Sequence, residues 1–162
     1  MLEPNCLRQC GVRIAKFPFI EGTDRYTSND FPIFRYADVL LMKAEALWKT
    51  GQDAQALALV NQIRARAGVP DLTTLDGPVS YDKNGPPIDG GELFNEIGRE
   101  MFAEHHRRQD LIRFGLYNEL EKWILPYYNP GDVVKKGDYL LIFPIHKDKI
   151  AANPNLDQNP GY

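Results

Sequence analysis

Apolar residues recur at intervals of three and four from Ile33 onward. Ile33, Tyr36, Ala37, Leu40, Leu41, Ala44, Leu47 and Trp48 follow one another at helical spacing, while Arg35, Asp38, Glu45 and Lys49 fall on the other side. The spacing predicts an amphipathic helix with Pro32 in its first turn and Gly51 at its end. Asp53 is placed to cap a second helix, whose stripe is Ala56, Leu57, Val60, Ile63 and Ala67 and which Gly68 and Pro70 stop. Helices joined by so short a turn lie antiparallel, and Ala44 facing Ala56 lets their axes approach.

The rest of the chain divides around this αα-hairpin of residues 31–69. Residues 1–30 form an irregular lead-in without helical period, in which VRIAKFPFI can hold a short strand. Residues 70–91 are rich in proline and glycine and read as a surface loop. Residues 92–124 carry a third helix, from Glu92 to Phe114 with Gly115 closing it, and a shorter fourth from Tyr117 to Trp123. Residues 125–162 are a loop-rich tail with one apolar run, YLLIF, read as a short strand or extended buried segment. Asn153 and Asn159 each precede a proline, which holds them extended. The tail is therefore expected to lie down on the body, with Leu156 and Tyr162 as anchors. The Gly-x4-Ala spacing of Gly51 and Ala56 is similar to a tetratricopeptide repeat.

The third helix is unusual. Its stripe opens with Leu93, Ile97 and Met101 and then meets Glu104, Arg107 and Arg108 before Leu111. Charges thus occupy positions that should face a core. Glu104 can reach Arg107 or Arg108, and Asp110 can reach Arg107 or Arg113, one turn away. Glu100, Glu104, Arg107, Asp110 and Arg113 are read together as a structural ion-pair network. Paired carboxylates also fit a glycoside hydrolase. Against that, arginine neighbours keep carboxylates ionised, and the pairs share one helix instead of facing each other across a substrate. His106 and Asp110 share a face, but no H-E-x-x-H and no third metal ligand accompanies them.

Composition narrows the classes further. The 162 residues are 43% hydrophobic and 25% charged, with a formal net charge of -3. That suits one globular domain and argues against a nucleic-acid-binding surface. Cys6 and Cys10 have no histidine or second pair beside them, which leaves free thiols or a local disulfide. No run approaches the ~18 apolar residues of a membrane span. The start, MLEPNCLRQCGVRIAKF, lacks a signal-peptide pattern, so the chain reads as soluble and not addressed for export. No phosphate loop, nucleophile elbow or Cys/His pair occurs; the reading is a non-enzyme without a cofactor.

Four stretches taken together resemble the RagB/SusD family of glycan-binding outer-membrane lipoproteins. RYADVLLMKAEAL (Arg35 to Leu47) resembles that family's signature helix, as does ALALVNQIRARAGVPDL with Asn61, Arg64, Arg66, Ala67 and Gly68. EIGREMFAEHHRRQDLIRFG resembles its Glu-Leu-Ala-Phe-Glu-Gly-x-Arg-x-x-Asp-Leu-x-Arg-x-Gly helix. Glu100, Glu104, Arg107, Asp110, Leu111, Arg113 and Gly115 match; His105 replaces the glycine, and Ile97 stands where arginine is common. FPIHKDKIAANPNLDQNPGY resembles the family's C-terminus, with His146 in place of a second proline.

The resemblance implies a mainly α fold, tetratricopeptide-like helix pairs packed with a loop-rich C-terminal region and few strands. It implies a non-catalytic protein at the outer-membrane surface that binds oligosaccharides and passes them to a SusC-like TonB-dependent transporter. It also implies that these residues correspond to the C-terminal portion only, with a missing N-terminal portion of the same fold as partner. Neither Cys6 nor Cys10 reads as the lipid-anchor cysteine, because no apolar stretch precedes them.

Sugar rings present apolar faces to aromatic side chains. Trp123, Tyr127 and Tyr128 cluster in WILPYYNPGD and are the candidate ligand-binding residues. The same rings can equally pack Trp123 on the third helix and pin the following loop. No binding motif of the family transfers onto them. The alternatives to a glycan binder are a tetratricopeptide-like protein-interaction module or a non-functional gene fragment.

Overall fold

A computed structural model describes residues 16–17, 21–22, 30–78, 88–118 and 137–162. The chain divides into two units, Met1–Ile33 and Phe34–Tyr162. Within the first, the rings of Phe17 and Phe31 lie 5.5 Å apart. Cys6, Cys10 and most of the expected VRIAKFPFI strand fall outside the described residues.

The second unit is mainly α, as the resemblance implied. Its described helices are α1 (Tyr36–Lys49), α2 (Asp53–Ala67), α3 (Gly91–Glu100), α4 (Arg107–Arg113) and α5 (Lys147–Ala152). Among the described residues there is no strand; an isolated antiparallel bridge joins Gly77 to Ile88. No helix there is long and apolar enough to cross a membrane.

Helices α1 and α2 form the expected hairpin. Thr50, Gly51 and Gln52 turn the chain, and their amides donate to the open carbonyls of Leu47 and Trp48. Ala44 and Ala56 are both fully buried where the axes meet. With Leu41, Val60, Ile63, Leu75, Leu93, Ile97 and Met101 they form the main core. Each large aliphatic buried there contributes about 1.5–3 kcal/mol by leaving water. Trp48 is half-buried against this core, its ring stacked 5.8 Å from that of Phe114. Gly68 ends α2 in the left-handed region at φ 69°.

Several boundaries differ from the sequence reading, each for a local reason. Helix α1 starts at Tyr36, not near Pro32. Arg35 stays extended at φ -140° and ψ 163° while its side chain reaches away to α3. Asp53 is the first residue of α2 and not its cap; Gln52 holds that place without a side-chain bond. Asp38 and Glu45, assigned to the solvent side of α1, are buried, because partners on α4 and in the residue before it face them. Tyr36, assigned to the core stripe, is 71% exposed.

The long third helix is two helices. It breaks after Glu100, and Ala103 and His105 then adopt positive φ, 64° and 63°. Any non-glycine residue there works against its own Cβ. His105 is the residue that the resemblance set against a glycine; glycine suits such a backbone and histidine strains it. The apolar run YLLIF is neither strand nor buried. Asp138–Leu141 form a 3-10 turn, and Phe143 is 70% exposed. The expected helix after Tyr117 lies mostly outside the described residues; Tyr117 and Asn118 sit in a turn.

The last residues fold back on residues 139–145 of the same tail, and Arg108 of α4 bonds the carbonyls of Leu140 and Leu141 there. Helix α5, not anticipated from the sequence, is capped by His146, whose Nδ1 accepts from the Asp148 amide at 3.3 Å. Asn153 is extended before its proline, at φ -137°. Gln158 pairs both ways with the backbone of Ile145, at 2.9 Å each. The Asn159 amide group donates to the Phe143 carbonyl at 2.7 Å, and the Tyr162 hydroxyl to that of Ile142 at 2.8 Å. Tyr162 sets its ring edge-on to Tyr139, 5.0 Å away.

Candidate functional site

The conspicuous chemistry of the described residues is a set of buried carboxylates held by arginines from other elements. Arg35 sits one residue before α1. Its Nε donates to Glu104 Oε2 at 2.7 Å, its Nη1 donates to Glu100 Oε1, and its Nη2 donates to the Glu100 carbonyl. That carbonyl ends α3 and would lack an intrahelical partner, so one guanidinium both neutralises two acids and caps a helix. Burial disfavours the Arg35 charge, but the bonds to Glu104 and Glu100 outweigh it and raise its pKa above the ordinary value.

Helix α2 supplies two more arginines. Arg66 Nη2 bonds both oxygens of Glu100, at 2.6 and 2.7 Å. Arg64 Nη1 donates to Glu96 Oε2 at 2.6 Å, and its Nε donates to the Pro70 carbonyl at 2.7 Å. Asn61 on the same helix clasps the Leu72 backbone, donating at 3.0 Å and accepting at 2.8 Å. The residues quoted from the second helix therefore fasten the loop after α2 and the face of α3.

Helix α4 completes the set. Arg113 donates to Asp110 Oδ1 at 2.7 Å and to Glu45 Oε2 of α1 at 3.0 Å. Glu45 also accepts from Lys49 at 2.8 Å. Burial pushes the Glu45 carboxyl up, but Arg113 and Lys49 prevail and hold it below its usual range. For Asp110, only 1% exposed, burial wins over Arg113 and raises the carboxyl. The Arg107 guanidinium stands over the Phe94 ring, 3.7 Å from its centre, and donates to the Phe94 carbonyl at 3.2 Å. Arg108 donates to the carbonyls of Leu140 and Leu141 and stands 4.2 Å over the Phe143 ring. Arg108 thus ties the tail to α4.

Of the five residues named as a network, all lie on or between α3 and α4, and Asp110 takes Arg113 as expected. Glu104 is joined to Arg35 in addition to any neighbour on its own segment, and Arg107 is set on an aromatic ring. Arg35, Glu45, Arg64, Arg66 and Glu96 were not foreseen as members. Arg64 and Arg66 already stood in the quoted second-helix stretch; Arg35 opened the first. Trp123, Tyr127 and Tyr128 lie outside the described residues.

Two cavities among the described residues are small. One of about 150 Å³ lies among Asp38, Met42, Glu45, His106, Asp110 and Arg113. Another of about 140 Å³ lies beside Trp48, Asp53 and Thr74. Ligand pockets commonly reach about 300–1,000 Å³, so neither accommodates an oligosaccharide. Among the described residues no three of His, Cys, Asp or Glu converge to hold a metal ion.

Fold and site together define a helix-pair scaffold of tetratricopeptide-like kind, locked by arginine–carboxylate pairs. The SusD family model matches residues 8–162, and the chain belongs to that family. It is 31% identical over 140 residues to the starch-binding protein SusD of Bacteroides thetaiotaomicron, covering 85% of this chain and 22% of that protein. A SusD-like protein of Formosa agariphila is 30% identical over 151 residues, covering 93% of this chain and 28% of the relative. The crystal structure of a SusD-like protein from Bacteroides fragilis superposes with a TM-score of 0.61 at 29% identity, over 82% of this chain and 26% of that one. A SusD superfamily structure from Bacteroides vulgatus gives 0.60 at 30%, over 80% and 27%. The chain thus spans about a quarter of the length of these relatives.

Proposed function

We propose that the chain works as part of a SusD-like protein that binds oligosaccharides at the outer-membrane surface, without catalysis, and passes them to a SusC-like TonB-dependent transporter. Its relation to a starch-binding protein over 85% of its length carries this reading. Consistent with it, Glu45, Glu96, Glu100, Glu104 and Asp110 are each paired with an arginine, and the two cavities described above are too small for a sugar chain. In this reading the helices described above are scaffold. Trp123, Tyr127 and Tyr128 are the side chains offered as a sugar platform. Titration with soluble starch oligosaccharides and a wider glycan panel, followed by tryptophan fluorescence, tests it. A saturable response lost in Trp123→Ala and Tyr127→Ala assigns the platform. A response unchanged by both removes these rings from the site, and silence across the panel refutes sugar binding by this chain.

A further inference from the structure

The cavity of about 150 Å³ between α1 and α4 is acidic inside and apolar at its border. Asp38 of α1 and Asp110 of α4 line it and are only 5% and 1% exposed. Phe34, Met42 and Gln109 line it too, and all three are exposed, so the space opens to the surface past them. It has room for a ligand of a few non-hydrogen atoms.

The fixed donors around this cavity are already engaged. Arg113 bonds Glu45 and Asp110 Oδ1, and Lys49 bonds Glu45. Arg107 acts on Asp110 through space, with its guanidinium over Phe94. His106 Nδ1 stands 3.8 Å from Asp38 Oδ1, beyond hydrogen-bond reach. Gln109 Nε2 lies 3.0 Å from that same ring nitrogen, and an amide nitrogen only donates, so Nδ1 has no proton to offer Asp38. Asp38 Oδ2 and Asp110 Oδ2 are left as buried acceptors with no hydrogen-bond donor. Burying an acceptor without a donor is costly, and more so for a charged one. Two carboxylate oxygens in one small cavity therefore call for N–H donors that carry positive charge.

We propose that this cavity is a binding site for a primary ammonium group, which donates to Asp38 Oδ2 and Asp110 Oδ2. Charge-assisted bonds of this kind are the strong ones, and one cation supplies both. The border suits the carbon that bears the ammonium: the Phe34 ring attracts a cation, and the Met42 side chain covers a methylene. A divalent metal ion is the wrong ligand, since no three of His, Cys, Asp or Glu converge among the described residues. A quaternary ammonium is also wrong, because it has no N–H to give. A free alkylamine and the amino group of a 2-amino sugar present the same chemistry. The inference stands on Asp38 and Asp110 and does not rest on sugar binding at Trp123, Tyr127 and Tyr128.

The test is thermal unfolding of the 162-residue chain at neutral pH in methylammonium, tetramethylammonium and sodium chlorides of equal ionic strength. Methylammonium should raise Tm saturably, half-completely at roughly 10 mM, as the efficiency of so small a ligand allows. Tetramethylammonium should do no more than sodium. D-glucosamine set against N-acetyl-D-glucosamine separates the sources. A response to glucosamine and not to its acetylated form admits amino sugars, and a response to methylammonium alone confines the site to small amines. Asp38→Asn should weaken the methylammonium response at least tenfold. Should that variant not fold, Met42→Lys tethers an ammonium at the border; it should raise Tm without amine and silence methylammonium. Equal shifts in the three salts overturn the proposal, as does a methylammonium response undiminished in Asp38→Asn or in Met42→Lys. Glycan titration that is silent while methylammonium binds fails the sugar reading and leaves this site standing.

Discussion

Arg35 donates through Nε to Glu104 Oε2 at 2.7 Å, joining the residue before α1 to the turn after α3 across 69 positions of sequence. The same guanidinium holds Glu100 and its carbonyl. Replacing Arg35 by Met takes this cation from buried Glu104 and half-buried Glu100, a change that costs about 3–5 kcal/mol. Arg35→Lys should recover less than half of that, because an ammonium cannot bridge two acids in a plane. Urea denaturation measures both, and Glu104→Ala should lose a few kcal/mol by the same reasoning. A midpoint unmoved in Arg35→Met contradicts the role given to this pair.

Glu45 and Asp110 share Arg113 but respond to pH in opposite senses. Glu45 titrates below its ordinary 4.5, so its stabilisation is complete above that pH and is lost as pH falls through the folded-state value. Asp110 titrates above its ordinary 3.8, so its ionised form weakens the fold, and acid relieves that burden as pH falls through the raised value. Arg113 is more than a third exposed, which discounts the pair. Glu45→Gln should cost about 1–2 kcal/mol at neutral pH, and the gap between variant and wild type should narrow as pH falls through the lowered folded-state value. Asp110→Asn should cost less than Glu45→Gln at neutral pH. Parallel stability–pH curves for Glu45→Gln and wild type would falsify this assignment.

His105 is held at φ 63°, a left-handed backbone that favours glycine. Glycine relieves about 1–2 kcal/mol of left-handed strain and gives back about 0.4–1 through the freer unfolded chain. His105→Gly should therefore raise stability by roughly 0.5–1 kcal/mol, a few degrees in Tm. A calorimetric Tm at or below wild type speaks against strain at this turn.

Gly91 opens α3 where the backbone of Gly77 crosses it. A Cβ there would lie 1.8 Å from the Gly77 carbonyl oxygen, and both backbones are fixed by the Gly77–Ile88 bridge and by Leu75, whose carbonyl accepts from the Glu92 and Leu93 amides. Gly91→Ala should cost about 3 kcal/mol or more, despite alanine's better helix propensity. Amide exchange at Ile88 should rise with it. A variant as stable as wild type would show that this crossing is looser than drawn.

Gln158 is the clasp of the tail, with both amide atoms on the Ile145 backbone. Gln158→Ala leaves those groups to water and should cost about 1–2 kcal/mol locally. Limited proteolysis should then cut within residues 142–162 well before the hairpin α1–α2. Deleting residues 153–162 should cost more, since Asn159 and Tyr162 are lost with it. Unchanged cleavage in both contradicts a docked tail.

The sequence by itself determined the elements whose signals are local. Spacing of Leu41, Ala44, Val60 and Ile63 gave the hairpin, Gly68 ended α2, and the proline after Asn153 fixed extended backbone. The stretches around Arg35, Asn61, Glu104 and Asn153 were enough to point to the family. Tertiary structure alone decided which charges go inside. Helical periodicity places Asp38 and Glu45 opposite the core, and no local rule reveals that Arg113 and His106 await them. Likewise the break after Glu100 depends on Arg35 from the far end of the hairpin, which satisfies the carbonyl that a continuing helix would have used. Long-range pairing overrides local spacing there, because a buried charge must find its partner wherever the fold supplies one.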